Sequence, residues 1–520
     1  MDDAPSCNPI ITGQAAAMAS SSSTATTTTS HDVPKCIATL VEWAVSRGAT
    51  LHRSVEVYQD AQTGLSFRVK PTASGAVQPF EPIVRLPTSL TLSYLNAVSE
   101  GQKQKQKQKQ QDADANDEAD DDDADAPFHS EFLAKAPPHV VGRLFLIKEY
   151  LKGEASSWWP YIQALPQPGE DNRHAWALAP FWDPDEAELL EGTNVEVGLE
   201  KIRNDVRRDL REARELLRAC QGQEESVLSK ALTDDDGLYQ WAYCIFSSRS
   251  FRPSLVLSER QQRMLPAGVS VDDFSVLLPL FDIGNHDMTT EIRWDLDNAK
   301  QECALRVGRA YRPGQQVFNN YSMKTNAELL LGYGFMMPAT DELHNDYTHV
   351  RKRTAAAAEP RASDEYLISL RPLSHPSSVL ARAKQSLQID PSTAVLGSFQ
   401  HVQPEMVWDI ICTLTSAQQR RDMLPVPEGQ DADRFHRHRF FSGQVDGEAR
   451  LCLEQTVAII QHKVLQELER LSETDVELVG RHADSLTRNQ ALALDYRGRC
   501  RKVLEGVLEA MSRDDIFGEE

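Results

Sequence analysis

Residues 277–335 read LLPLFDIGNHDMTTEIRWDLDNAKQECALRVGRAYRPGQQVFNNYSMKTNAELLLGYGF, and the reading of the whole chain turns on them. An apolar run ends in Asp282-Ile283-Gly284-Asn285-His286. Further on, a Pro-Gly turn leads to Asn320-Tyr321 and then to Gly332-Tyr333-Gly334-Phe335. Ordinary packing has no use for that order of residue types. The pattern predicts a strand that ends in Asn-His, then a hairpin, then a second tyrosine-bearing segment. Such an arrangement suits a site that holds a small charged ligand beside an aromatic-lined channel.

Around this stretch lie 520 residues, enough for two or three domains because single cores stop growing at roughly 250 to 300 residues. A hydrophobic content of 41% supplies sizeable cores, and a formal charge of -22 argues against a general nucleic-acid or anionic-membrane binder. The eight cysteines (7, 36, 220, 244, 303, 412, 452 and 500) stand singly, without the CxxC spacing that begins a zinc site. Reduced, mostly buried thiols are expected, as in a cytosolic or nuclear protein. The first thirty residues lack a basic start and an apolar segment, so neither secretion nor mitochondrial import is expected. No apolar run reaches the roughly twenty residues of a membrane span.

Composition divides the chain further. Residues 1–33 form a Ser/Thr/Ala tail and residues 101–127 a QKQK-then-Asp insertion, both expected to be disordered because they offer little apolar surface to bury. The insertion reads first as a solvated loop and second as a docking element for a charged partner. Between them, residues 34–100 carry a short amphipathic helix at 37–45 and small strands near 55–58, 65–69 and 83–86. Residues 128–252 are helical, with Trp158-Trp159-Pro160-Tyr161 marking a tight aromatic connection. Strand signals return over 253–338, and 339–520 are helical, with regular amphipathic helices at 451–471 and 488–511. The fold class expected is α+β, a β-sheet core split by a helical insert and followed by an all-α C-terminal domain.

This order, together with Asn285-His286 and Tyr333-Gly334-Phe335, resembles the SET-domain protein methyltransferases of the Rubisco large-subunit lysine methyltransferase (LSMT) class. Further points of likeness are Trp43 to Gly48, the turn at Gly64-Leu65, and Leu86-Pro87 with Leu90. Others are Leu189-Leu190 with Gly192-Thr193-Asn194, Tyr239 to Tyr243 with Ser248-Arg249-Ser250-Phe251, and Asp495-Tyr496-Arg497 before Lys502-Val503-Leu504. Each match is weak alone; their joint order over residues 35–515 is specific. The resemblance implies a split SET domain (34–100 and 253–338), a helical insert (128–252) and a helical domain that binds the protein substrate (339–520).

It also implies an S-adenosylmethionine-dependent protein-lysine N-methyltransferase, with S-adenosylmethionine as cofactor. Cofactor-binding roles fall to Thr63, Gly64, Leu65, Arg249, Asp282, Asn285, His286, Gly334 and Phe335, and catalytic roles to Tyr333, chiefly, and Tyr321. In methyl transfer a neutral amine attacks the methyl carbon in line with the sulfur, so alignment by phenol oxygens is the protein's main task. The tyrosine before Gly-Phe favours lysine, since members of the class acting on histidine replace it. Two departures stand out: Ser66 and Ser322 occupy positions where the class commonly has glycine.

Blander readings accompany each residue. Asn285-His286 can be a capped turn with a satisfied histidine, Asp282 a turn former, Arg249 a helix-end capping charge in place of a partner for the donor's carboxylate or a lining of the substrate groove, and each tyrosine a buried core residue. His436 and His438 in FHRHRF would share one face of a strand, but no Cys, Asp or Glu nearby completes a ligand set, so a basic loop is expected and no metal. No P-loop, GxSxG, GxGxxG or nucleophilic-cysteine setting is present. Alternatives on the same fold are a protein-histidine N-methyltransferase and a catalytically inactive binding module. The expected partner is a protein of the ribosomal, cytoskeletal or nuclear classes, for a monomeric cytoplasmic or nuclear enzyme.

Overall fold

The computed structural model describes residues 34–101, 128–221, 226–263, 265–351, 365–390, 393–475 and 486–513. The expected disordered tail at 1–33 lies outside these described residues, as does the expected charged insertion at 101–127 apart from Gly101. The chain divides into two compact units. The first comprises residues up to Trp182, Glu200–Ser322 and Gly332–Gly334; the second comprises Asp183–Leu199, Met323–Leu331 and Phe335 onward.

Among the described residues the first unit is built on ten short strands: β1 (Thr50–Leu51), β2 (Val55–Asp60), β3 (Gly64–Val69), β4 (Pro82–Pro87), β5 (Leu92–Ser93), β6 (Ser250–Phe251), β7 (Val276–Leu277), β8 (Ile292–Asp297), β9 (Glu302–Val307) and β10 (Gln316–Val317). They form three small antiparallel sheets in the orders β1-β4-β9-β8, β10-β3-β2 and β5-β7-β6. Each sheet mixes strands from before and after the helical stretch. No sheet is therefore complete until residues some hundreds of positions apart have met, a non-local pairing that costs loop-closure entropy.

Local chemistry fixes the turns that matter. At the β2–β3 hairpin the Asp60 carboxylate accepts from the backbone N–H groups of Gln62 (2.9 Å) and Thr63 (2.8 Å), and Gly64 takes φ +75°, which a side chain would resist. Before β10, Arg312-Pro313-Gly314-Gln315 closes with Gln315 N–H on the Arg312 carbonyl (3.1 Å) and Gly314 at φ +85°, so proline and glycine sit where a type II turn wants them. The turn is then stitched to β3, Gly314 N–H donating to Val69 O and Val69 N–H to Gln315 O.

Helices cover this framework. Lys35–Ser46 buries Cys36, Ile37, Leu40, Trp43 and Ala44. Pro138–Leu151 packs against Gly237–Arg249, whose Trp241 is fully buried and donates its indole N–H to Pro166 O (2.7 Å). Arg143 joins the two helices to Glu196–Gln221, donating to Asp209 (2.9 Å) and to the Tyr239 hydroxyl (3.2 Å) while lying over the Tyr243 ring. The aromatic connection expected at Trp158–Tyr161 is a one-turn helix, Trp159–Ile162, with Pro160 as its second residue.

The second unit is helical, with Pro404–Leu414, Ala432–Phe441, Gly447–Glu473 and Arg488–Ser512 its main elements. It also contains one two-stranded antiparallel sheet, β11 (Tyr347–Arg351) with β12 (Glu365–Ser369), so the expectation of an all-α region omitted a ladder. Its β-branched and aromatic residues (Tyr347, Thr348, Val350, Tyr366, Ile368) alternate too briefly to stand out from the surrounding helices. His436 and His438 belong to a helix and not to a basic loop; His436 is buried with Nε2 on Leu424 O (3.0 Å).

Two motifs that carried the resemblance meet inside this unit and act structurally. The Tyr496 hydroxyl donates to Asn194 Oδ1 (2.7 Å), and the Arg497 guanidinium donates to Leu189 O (3.3 Å) and Leu471 O (2.6 Å). Gly192 is locked between them at φ +74°. A Cβ there would lie 2.1 Å from Thr474 Oγ1 and 2.8 Å from the Arg470 carbonyl oxygen. Backbone cannot yield cheaply to such a contact. Gly192→Ala should therefore lower stability by about 2 to 4 kcal/mol, combining left-handed strain with overpacking, as a clear drop in the thermal-unfolding midpoint.

Candidate active site

The strand expected to end in Asn285-His286 stops much earlier, at Leu277. Leu280, fully buried, turns the chain at φ +72°, and Phe281–Ile283 form one 3-10 turn. Beyond it the backbone is extended and runs beside the segment after β10. Asn319 N–H donates to Asn285 O (2.7 Å), Asp287 N–H donates to Asn319 O (2.9 Å), and His286 and Asn319 form a parallel bridge. These two crossings bring the two halves of the 277–335 stretch together.

Gly284 sits at the tightest point. A Cβ there would lie 3.2 Å from Asn319 Cβ and 3.6 Å from the Phe67 ring. The Asn285 side chain reaches in the other direction, donating from Nδ2 to Thr63 O (3.2 Å) at the β2–β3 turn. Thr63, Gly64 and Leu65, read from the far N-terminal part of the chain, are thus tied to Asn285.

Three rings stack behind this crossing. His286 lies on Tyr321 with centroids 5.0 Å apart and planes 13° apart, and Tyr321 lies on Tyr333 at 5.1 Å and 23°. His286 Nδ1 accepts from the Tyr321 backbone N–H (3.0 Å), which makes Nδ1 the unprotonated nitrogen of a neutral ring. The Tyr321 hydroxyl donates to Gly284 O (2.9 Å), so its proton is committed and its lone pairs remain available to accept. Burial pushes this phenol well above the usual tyrosine range, and it stays neutral at physiological pH. Tyr333 ends the helix Asn326–Tyr333, whose Gly332 carbonyl accepts from Ser247 Oγ (3.1 Å), and Gly334 follows at φ +72°.

Asp282 and Arg249 are paired. Arg249 Nη1 lies 3.3 Å from both the carboxylate and the main-chain oxygen of Asp282, and the Tyr161 hydroxyl donates to the same carboxylate oxygen (3.0 Å). Burial drives the Asp282 carboxyl up from its ordinary value, and the Arg249 charge opposes that shift. Arg249 is therefore more than a helix-end charge. Its Nε–H is buried and has no hydrogen-bond partner among the described residues, and the same holds for Nδ2 of Asn319, a residue 1% exposed. Phe335, the last of the expected residues, is buried in the second unit.

Sequence reasoning missed Asn319 and Gln316. The Gln316 amide donates to Thr63 Oγ1 (3.0 Å) and Ser66 Oγ (2.7 Å). The doubled amides in QQVFNNY, next to a tyrosine already singled out, were the available signal. Among the described residues one group of ligand-type side chains exists elsewhere: His129, Glu131 and Cys220, with donor atoms within 4.8 Å of one another. His129 Nδ1 already accepts the Glu131 N–H as a helix cap and Glu131 pairs with Lys135 (2.6 Å), so the arrangement has a structural explanation. Among the described residues no helix is long and apolar enough to cross a membrane.

The sheets, the crossing of residues 285–287 with 319 and the helical second unit define a SET-type fold, and comparison with known proteins agrees. Rubisco LSMT has the same fold. Its structure bound to AdoMet matches with a TM-score of 0.53 and 16% identity, covering 92% of each chain. Its structure bound to sinefungin and monomethyllysine gives 0.54 and 15%, covering 94% of each. Among curated proteins, the chain is 25% identical over 301 residues to the ribosomal lysine N-methyltransferase set10 of Schizosaccharomyces pombe, covering 58% of this chain and 45% of that one. It is 23% identical over 335 residues to the protein-lysine N-methyltransferase EFM1 of Saccharomyces cerevisiae, covering 57% and 48%. The chain thus spans about half the length of these relatives. No protein-family model matches it. The likeness read from the sequence holds for the fold and for the kind of relative.

Two substitutions test the site's construction. Ser322 is left-handed (φ +83°), a conformation that favours glycine, so Ser322→Gly should raise stability by about 0.5 to 1 kcal/mol in chemical denaturation, relief of strain exceeding glycine's extra chain entropy. Asp282→Ala should cost about 3 kcal/mol, because it leaves the Arg249 guanidinium buried without its carboxylate.

Proposed function

We propose that this chain is an S-adenosylmethionine-dependent protein-lysine N-methyltransferase. One observation carries the reading. The stacked His286, Tyr321 and Tyr333 rings stand against a Gly284–His286 segment whose carbonyl already holds the Tyr321 proton. A phenol oxygen with its proton so committed accepts a hydrogen bond and does not compete as a donor. That is what a neutral amine needs to have its N–H groups held and its lone pair aimed.

The residues present fit the donor. S-adenosylmethionine, when bound, supplies the activated methyl group. Arg249 Nε and Asn319 Nδ2 are buried N–H donors with no partner among the described residues, and each would donate to a carboxylate. Asn285 and His286, with the Thr63–Leu65 turn bonded to Asn285, would hold the rest, and Gly334 would follow Tyr333 in the same role. Asp282 acts through Arg249, fixing the guanidinium. Tyr333, stacked on Tyr321, would orient the acceptor amine, and Tyr321 would offer its lone pairs beside it. Two curated relatives, set10 and EFM1, are lysine methyltransferases and support lysine as the acceptor, and set10 supports a ribosomal protein as substrate. A cytoplasmic or nuclear site of action accords with such a substrate.

The test uses the full chain, methyl-labelled S-adenosylmethionine and ribosomal protein from its own cell, with the label identified after hydrolysis. Labelled methyl-lysine is expected. Label on histidine would move the chain to the histidine branch of the fold, and absence of donor binding in calorimetry would leave a binding module. Tyr333→Phe should lower kcat by about a hundredfold while leaving donor affinity unchanged, whereas Asn285→Ala should abolish donor binding.

A further inference from the structure

Ser66 stands where the class commonly has glycine, and its surroundings show what the side chain does. It lies in β3, fully buried, with ordinary extended backbone. Gln316, in β10, pairs with Arg68, so Ser66 is the diagonal neighbour two residues along β3 and on the same face. From there the Gln316 amide donates both of its N–H groups, one to Ser66 Oγ at 2.7 Å and one to Thr63 Oγ1 at 3.0 Å. Thr63 is 2% exposed, and its hydroxyl also bonds the Asp60 carboxylate, which holds the Gln62 and Thr63 N–H groups.

The turn is therefore held on three sides. Asp60 grips it from within, Asn285 takes the Thr63 carbonyl at 3.2 Å, and Gln316 bridges the two hydroxyls that flank Gly64 and Leu65. Gly64, at φ +75°, supplies freedom that a cofactor-binding turn must lose before it can bind. A ligand that meets an ordered turn does not have to order it.

We infer that Gln316 is a positioning residue for the donor, acting through Ser66 and Thr63 to hold the Thr63–Leu65 turn in its binding conformation. The inference rests on the function proposed above. It assigns a purpose to the serine: its hydroxyl is the anchor by which β10 fixes the turn.

The experiment measures S-adenosylmethionine and S-adenosylhomocysteine affinity by calorimetry on the full chain and on Gln316→Met, Ser66→Ala and the double variant. Hydrogen exchange of the residue 62–66 amides and the unfolding midpoint of the unliganded proteins are followed alongside. Gln316→Met keeps the length of the side chain and the β10 backbone ladder while removing both hydrogen bonds. It should weaken donor binding about tenfold and speed exchange at 62–66. Ser66→Ala should have a smaller effect, and the double variant should bind no worse than Gln316→Met alone, because the Ser66 contact is already lost when Gln316 is replaced. A lowered midpoint with donor affinity equal to the parent's would overturn the inference and leave Gln316 a structural residue. If the parent itself binds no donor, the methyltransferase reading fails and this inference with it; a parent that binds beside indifferent variants removes only the clamp.

Discussion

Two backbone hydrogen bonds, Asn319 N–H to Asn285 O and Asp287 N–H to Asn319 O, hold the site together. Without them the Asn-His segment and the tyrosine segment would be neighbours only in sequence. With them, His286 can accept from the Tyr321 N–H, the three rings can stack, and the Tyr321 hydroxyl can reach Gly284 O. Gly284 is the steric condition for the crossing, because a Cβ 3.2 Å from Asn319 Cβ would press the two chains apart. The same crossing leads back to β3 through Gln316 and through Asn285, so N-terminal and C-terminal strands are committed to one geometry.

The electrostatics follow from burial. Asp282 and Arg249 are taken out of water as a pair, and Tyr161 adds a further hydrogen bond to the carboxylate. A buried ion pair of this kind is a costly way to gain stability, since desolvation offsets much of the attraction. Its use here is orientation: Arg249 Nη1 is spent on Asp282, and its Nε–H is left as a fixed donor. Asn319 has the same character, with its backbone and Oδ1 employed and its Nδ2–H without an acceptor among the described residues. Groups kept buried and unsatisfied cost about 1 to 3 kcal/mol each, which a bound ligand accepting from them would recover.

Much of this was legible in the sequence, because the informative residues are those whose local chemistry overrides packing. Asn285-His286, the Pro-Gly turn, Tyr321 and Tyr333 could be picked out, and so could the helices at both ends of the chain, whose apolar periodicity is regular. The path between them was not legible. Nothing in Leu278-Pro279-Leu280 announces a buried leucine at φ +72°, since that conformation is imposed by the surrounding core. The β11–β12 ladder escaped for a related reason: five-residue strands inside a helical region carry too little period to be read. Gln316 was hidden because its partners, Thr63 and Ser66, are some two hundred and fifty positions away and become neighbours only when β10 pairs with β3.

The two serines at glycine positions separate what a glycine is for. At 66 the backbone is ordinary β-strand, which any residue adopts, so glycine there would serve only to leave space. The chain has filled that space with a hydroxyl and given the hydroxyl a partner in Gln316. At 322 the backbone keeps the left-handed conformation of a glycine even though serine occupies it, with the Ser322 N–H donating to Asn320 Oδ1 (2.8 Å). Asn320 in turn donates to Met288 O and Thr290 O, so the turn is over-determined from its other end and imposes its shape on the serine. One substitution is thus compensated by chemistry and the other tolerated as strain. The strained one lies just after Tyr321, where a shift of the backbone would move the phenol off Gly284 O. The geometry of the tyrosines is held by hydrogen bonds on the Asn320 side, and the glycine pattern of the class is one way among several to obtain it.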